Sequence, residues 1–261
     1  MSQTEGGGAF LRYFRPEDAD FVRRIFRTLA NLPLDEVVTA ENLVSVLTGP
    51  NAQLSSRFVQ SRIYIGDSTA RPTERQCKGQ VNAWMSEDNA DANAEIYICD
   101  DAFDWPSIEE IANPPQTSWA RDNQGRPLPG YSCDGLGDFD SDWMKTMGSI
   151  ILHEYMHWGF LYIQVPNWYY YIKTTSMGFR AIEDYTGPFP PNGYGAYHAK
   201  TIKDIYGSWD QAWPQTLNNA DNYVYYALSK YWSWRCGKQF GPAPSEHDAH
   251  QRGASGWRPP D

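Results

Sequence analysis

Two histidines four residues apart, with a glutamate directly after the first, stand in His153-Glu154-Tyr155-Met156-His157. In a helix, positions i and i+4 lie one above the other on one face, so both imidazoles can meet a single metal ion. Zinc suits two imidazoles, a third ligand and an open water position. Glu154 is placed to take a proton from water activated by such a metal. The competing reading is a surface helix that carries two histidines by accident. The flank argues against it. Asp138-Phe139-Asp140-Ser141-Asp142 offers N-cap residues, and Trp143, Met144, Met147, Ile150, Ile151 and Leu152 are apolar at helical spacing. No proline falls between Ser141 and His157, and Gly159 is a natural helix end. This pattern predicts a mostly buried helix, in which partnerless imidazoles are costly unless a metal takes up their lone pairs.

The elements that must hold this helix are less regular. Pro16 to Leu32 reads as an amphipathic helix with its acidic residues near the start. Thr39 to Leu47 and Ala52 to Val59 read as short helices. Ile63 to Ile65, Gly79 to Met85 and Ala94 to Cys99 read as strands, with Glu87 to Asn93 a turn; Ala94 to Cys99 has the strongest β propensity. Asp100 to Asp140 is rich in Pro, Gly and Asp and predicts a long irregular connection of the kind that carries function or is pinned by a disulfide. An aromatic segment, Trp168 to Phe179, precedes Ile182-Glu183-Asp184-Tyr185 and a Pro/Gly-rich loop that ends in Asn192-Gly193-Tyr194-Gly195. Tyr197 to Tyr206 and Asn218 to Arg235 read as helices, the latter with Val224, Ala227, Leu228 and Tyr231 facing inward. Gly241 to Asp261 lacks periodicity and predicts a loosely held tail. The expectation is one α+β domain over residues 1–240, mainly helical, with a small antiparallel sheet beside the histidine helix, and a flexible tail over 241–261.

The chain has 261 residues, 41% of them hydrophobic, enough for a real core. A net charge of −10 argues against nucleic acid as a partner and could attract basic substrates. No stretch has the length and apolarity of a membrane span, so no membrane partner is expected; a monomer is. Four cysteines, Cys77, Cys99, Cys133 and Cys236, contain no CxxC pair; they permit two disulfides in three connectivities, given an oxidising compartment. Residues 1–8 are polar and glycine-rich and show no signal-peptide pattern. That leaves either a mature chain with an added start Met or a protein not secreted by this route. No Asn-x-Ser/Thr site is present to support secretion.

Three features resemble the deuterolysin-type fungal metallopeptidases, the aspzincins. They are His153-Glu154-x-x-His157; Asp184 followed by Gly193-Tyr194-Gly195; and Asn219-Ala220-Asp221-Asn222-Tyr223, similar to the family's Asn-Ala-Asp-x-Tyr helix. Together they cover roughly residues 140 to 236. The resemblance implies a zincin-like fold, secretion, and a zinc endopeptidase acting on peptide or protein substrates. It makes Asp184 the third zinc ligand beside His153 and His157, Glu154 the general base, and Tyr194 the hydroxyl that steadies the oxyanion. The chain departs from the pattern: Ala181-Ile182-Glu183 replaces the family's Gly-Thr before the Asp, and Thr186 to Asn192 lengthens the spacer. Glu183, Asp204 and Asp210 are therefore rivals for the third ligand. Asp184 could also serve only to cap a turn before Gly187-Pro188, and Tyr194 could be a packed aromatic.

Other readings stay open. In zinc peptidases with this helix an edge strand aligns the substrate by strand addition, and Ala94 to Cys99 is the candidate edge. The acidic residues Glu87, Asp88, Asp91, Asp100 and Asp101 either favour basic substrate side chains or are solvated loops. His198 could point toward the site or be a satisfied structural histidine. His247 and His250 in the tail could bind a second metal weakly, or be solvated. A related non-catalytic role exists, since zinc-scavenging proteins and allergens resemble aspzincins; an intact Glu154 argues against it. A zinc hydrolase acting on a non-peptide metabolite is the third reading.

Overall fold

The computed structural model describes residues 8–35, 37, 39, 42, 56–79, 81–88, 93–206 and 214–249. Helices of six residues or more are α1 (Gly8–Tyr13), α2 (Ala19–Leu29), α3 (Met147–His157), α4 (Gly195–Tyr206) and α5 (Ala220–Cys236). Strands are β1 (Arg62–Ile65), β2 (Ala83–Asp88) and β3 (Asn93–Ile98). The architecture is mixed α and β, with helix well in excess of strand. Of the two short helices expected near the N-terminus, the described part is the turn Ser56–Gln60; most of 39–47 lies outside the described residues.

The sheet has the order β1-β3-β2. β2 runs antiparallel to β3, but β1 runs parallel to it, which corrects the expected antiparallel sheet. Ala94 to Cys99 is correspondingly not an edge: β3 is the central strand, bonded on both sides. High β propensity tracks burial on a pleated surface, and the centre of a sheet is its most buried position. Ala94, Ile96 and Ile98 face the helices, where Ile96 and Ile98 meet Ile150 of α3. On the opposite face Tyr97 stacks between Tyr64 and Trp84, at 5.1 and 4.3 Å. The Cys77–Cys99 disulfide ties the 66–82 loop over this face.

α5 is the axis of the main core. Asp221 to Tyr225, Leu228, Ser229 and Trp232 are all buried, and α1, α3 and α4 pack around it. Of the four inward residues expected on this helix, Val224 and Leu228 are buried, and Ala227 and Tyr231 are only partly buried. Phe10 and Phe14 meet Tyr223 and Tyr226 edge-on, and Phe26 meets Tyr226 edge-on and Tyr223 at a tilt. Aromatic pairs of this geometry add to the area that they bury.

The segment that leads into α3 is fixed by buried polar bonds. Asp140 accepts from Arg12 Nη1 at 2.6 Å and from Tyr13 Oη at 2.7 Å, and Asp142 accepts from Tyr225. α3 starts later than the sequence suggests. A 3-10 turn covers Asp142–Met144, and Thr146 is the N-cap in a reciprocal capping box with Ser149. Asp140 Oδ2 and Asp142 Oδ1 are engaged by α1 and α5, which holds these side chains away from the start of the helix. The Cys133–Cys236 bridge joins the long connection to the end of α5. The sequence region set apart as a tail contributes to this core: Asp140 N donates to Gly241 O, Ala243 is buried, and so is Ala249 in the helical turn Glu246–Ala249. Residues 250–261 lie outside the described set. The two disulfides fit an oxidising compartment. Among the described residues no helix is long and apolar enough to cross a membrane.

Candidate metal centre

α3 presents His153 and His157 on one face, their ring centroids 4.8 Å apart. Asp184 approaches from the segment 182–195, which lies beyond the helical turns Gly159–Tyr162 and Trp168–Tyr171. Ligand atoms of His153, His157 and Asp184 all lie within 4.8 Å of one another. Asp184 Oδ1 is 3.2 Å from His153 Nε2, and Oδ2 is 3.6 Å from His157 Nε2.

The hydrogen bonds on the far side of each ring decide what these nitrogens are. His157 Nδ1 lies 2.7 Å from the carbonyl of Ile182, which can only accept. His153 Nδ1 lies 2.8 Å from Asp221 Oδ1, a carboxylate. Both Nδ1 atoms must therefore carry a hydrogen, and in the neutral rings both Nε2 atoms are lone pairs. These lone pairs converge on a carboxylate whose buried Oδ1 receives no hydrogen bond despite its 3.2 Å approach to His153. Three acceptors facing one another repel unless a cation lies among them. Two imidazoles and a carboxylate are a donor set that zinc takes, and the partners on the outer nitrogens are those that orient metal-binding histidines.

Protons are the competing cation. Burial alone would lower the His153 pKa, but Asp184 and Asp221 carry it well above the usual histidine range. Burial would raise Asp184, yet the two histidines and Tyr194 hold it well below the usual carboxylate range. Glu154, next on α3, is only 5% exposed, and burial lifts its carboxyl above the ordinary value against the opposing pull of the histidines.

The loop that carries Asp184 reaches the helix because of two glycines. A Cβ on Gly159 would lie 1.7 Å from Arg180 O, so only glycine at the end of α3 lets the 180–182 backbone pass close enough to bring Ile182 O to His157. A Cβ on Gly193 would lie 2.0 Å from Asn219 Oδ1. Asn219 fills that space with work for both its ends: Oδ1 accepts from Tyr185 N at 3.0 Å and Nδ2 donates to Gly193 O at 3.0 Å. It thus clamps the two ends of the 186–192 loop. Asn222, one turn on, donates to Tyr13 O and Ala199 O, tying α5 to α1 and α4.

Tyr194 follows this clamp. The residue is 48% exposed, its ring lies over His153 at 5.9 Å, and its hydroxyl donates to Asp184 Oδ2 at 2.7 Å. Burial and the adjacent carboxylate raise its pKa, so it remains a donor. Its hydroxyl thus lies at the three candidate ligands, beside the one that the loop supplies. The rivals for third ligand lie elsewhere. The Glu183 side chain is exposed, Asp204 pairs with Lys200 and Lys203, and Asp210 is outside the described residues. His198 is buried behind the Tyr194 loop, with Nδ1 2.8 Å from Asn192 Oδ1 and Nε2 3.3 Å from Glu246. Asn192 Oδ1 also accepts from Tyr194 N, so His198 supports the loop and does not join the ligand cluster. His247 is exposed, and His250 lies outside the described residues, as do Asp91 and the side chains of Glu87 and Asp88.

Asp221 and Asn219 are the residues that sequence reasoning missed as parts of the site. Both were visible in a motif at the start of α5, but nothing local shows that their side chains reach back to residues 153, 185, 193 and 195. No family model matches the chain, and no curated protein or solved structure matches it.

Proposed function

We propose that the protein is a zinc-dependent endopeptidase of aspzincin type, with His153, His157 and Asp184 as the residues that hold the metal. The observation that carries this reading is the convergence of two imidazole lone pairs and an orphaned carboxylate oxygen beside a buried glutamate. The likeness of three motifs to the aspzincins supports it. Zinc bound there supplies Lewis acidity, which acidifies water and polarises a carbonyl.

The chain's own groups then divide the work. A carboxylate oxygen of Glu154 takes the proton of the attacking water and delivers it to the leaving amine nitrogen. Its enclosure raises its proton affinity, which suits a group that must both accept and release. The Tyr194 hydroxyl, freed from Asp184, donates to the oxyanion that develops on the scissile carbonyl oxygen. Ile182 O and Asp221 keep the two imidazoles oriented throughout. β2, the sheet edge that packs on α3, is the strand along which an extended peptide aligns by strand addition.

The test is hydrolysis of denatured casein. Activity is expected to be lost to a chelator, restored by zinc, and reduced about 10²- to 10⁴-fold in Glu154→Gln with zinc still bound. Tight binding of one zinc with no cleavage of any peptide would replace this reading with that of a zinc-binding protein.

A further inference from the structure

The carboxylate of Asp221 makes two bonds that have no structural need to share one residue. Oδ1 meets His153 Nδ1 at 2.8 Å, and Oδ2 accepts from Gly195 N at 2.6 Å. The first contact is to a candidate metal ligand. The second is to the residue directly after Tyr194, where the chain turns with φ +87° into α4. Asp221 is buried in the first turn of α5, and the two bonds fix the positions of its oxygens.

We infer that Asp221 is a positioning residue that couples metal binding at His153 to the placement of Tyr194. The inference rests on the zinc reading above and adds to it. One oxygen keeps the His153 hydrogen on Nδ1 and so leaves Nε2 as the metal-facing lone pair. The other oxygen holds the Gly195 N–H and so fixes the direction in which the chain delivers Tyr194. A rotation of the Asp221 side chain that lengthened one bond would lengthen or misalign the other. The ligand on the helix wall and the hydroxyl on the loop wall are therefore set by one rigid group. A neutral amide cannot serve both, because Asn offers one acceptor where two donors converge.

The experiment compares wild type with Asp221→Asn by three measurements that need no turnover. Competition with a chromophoric chelator is expected to show zinc binding weakened about 10- to 100-fold in the variant. Nitrogen-15 NMR of the zinc-free wild type, at a pH where the ring is neutral, is expected to show the His153 hydrogen on Nδ1, which no metal bond at Nε2 then dictates. Amide exchange is expected to show Gly195 protected in the wild type and released in the variant, with the α3 amides unchanged. Zinc affinity within twofold of wild type, or a His153 hydrogen on Nε2 in the zinc-free wild type, overturns the inference. The NMR measurement requires no variant, so the inference stays open to refutation even if Asp221→Asn fails to fold. A wild type that takes up no zinc overturns both this inference and the reading of the site; normal zinc uptake with an unaffected variant overturns the inference alone.

Discussion

The two walls of the metal site are held together by different means. On one wall, His153, Glu154 and His157 take their spacing from the α-helix itself, and a capping box at Thr146 and Ser149 fixes where that helix begins. On the other, residues 182–195 form short isolated bridges and a loop. That wall owes its place to long-range polar bonds from Asn219 and Asp221, and to two glycines that allow close backbone approach. The helix wall would keep its shape if the facing wall moved. The loop wall has no such independence, so half of the site depends on the first turn of a helix more than twenty residues farther along the chain.

The strongest way to break this contrast is to remove a helix-borne ligand. His153→Ala or His157→Ala is expected to abolish stoichiometric zinc after dialysis and all casein cleavage, while the circular dichroism spectrum keeps its helical content. Retention of zinc in either variant would mean that the metal lies elsewhere. Next in size is the Cys133–Cys236 bridge, which touches neither wall but joins residues 103 positions apart. Its replacement by Ser at both positions is expected to cost about 2–5 kcal/mol, read as a lower denaturation midpoint. If the folded remainder still binds zinc normally, the bridge is confirmed as support for the whole domain and not for the site.

Asn219→Ala addresses the loop wall directly. It leaves a buried Tyr185 N–H and Gly193 carbonyl without their partner, a loss of roughly 1–3 kcal/mol for each unsatisfied group. Faster amide exchange is expected at Tyr185, with α3 amides as protected as before; equal loosening of both walls would contradict the independence of the helix wall. The smallest effect is one of pH. Zinc must displace the proton that Asp184 and Asp221 stabilise on His153. Because that pKa is raised, affinity is expected to be constant at high pH. It is then expected to fall by roughly tenfold per unit for one displaced proton, starting above the usual histidine range. Asp184 is held low and so remains ionised across this window. An onset delayed into the carboxylate range would show that His153 is not the group in competition.

The same contrast explains what was legible in the sequence. The pair His153 and His157, their shared face and the neighbouring Glu154 follow from helical period alone, and so did the apolar stripe of α2. Three strands were found, but β2 runs through Glu87 and Asp88 and β3 starts at Asn93, all read from the sequence as a turn, and the strand order was not found. β1 pairs in parallel with β3 through a connection whose path nothing in residues 62–98 specifies locally, and the best strand former became the centre of the sheet. The start of α3 was displaced because Asp140 and Asp142, good caps by type, are bonded to α1 and α5. Asp184 came from a resemblance of motifs and joins the histidines in space. The role of Asp221 is not legible in the sequence, since its partners lie 68 and 26 positions away and no periodicity links them.

The central claim is that one cation is held among His153, His157 and Asp184. Anomalous diffraction from zinc-loaded crystals, recorded on both sides of the zinc absorption edge, tests it directly. The account predicts a single strong peak at about 2.0–2.2 Å from the Nε2 atoms of both histidines and from an oxygen of Asp184. No peak there, or a peak bounded by other residues with the two imidazole rings turned apart, would contradict it.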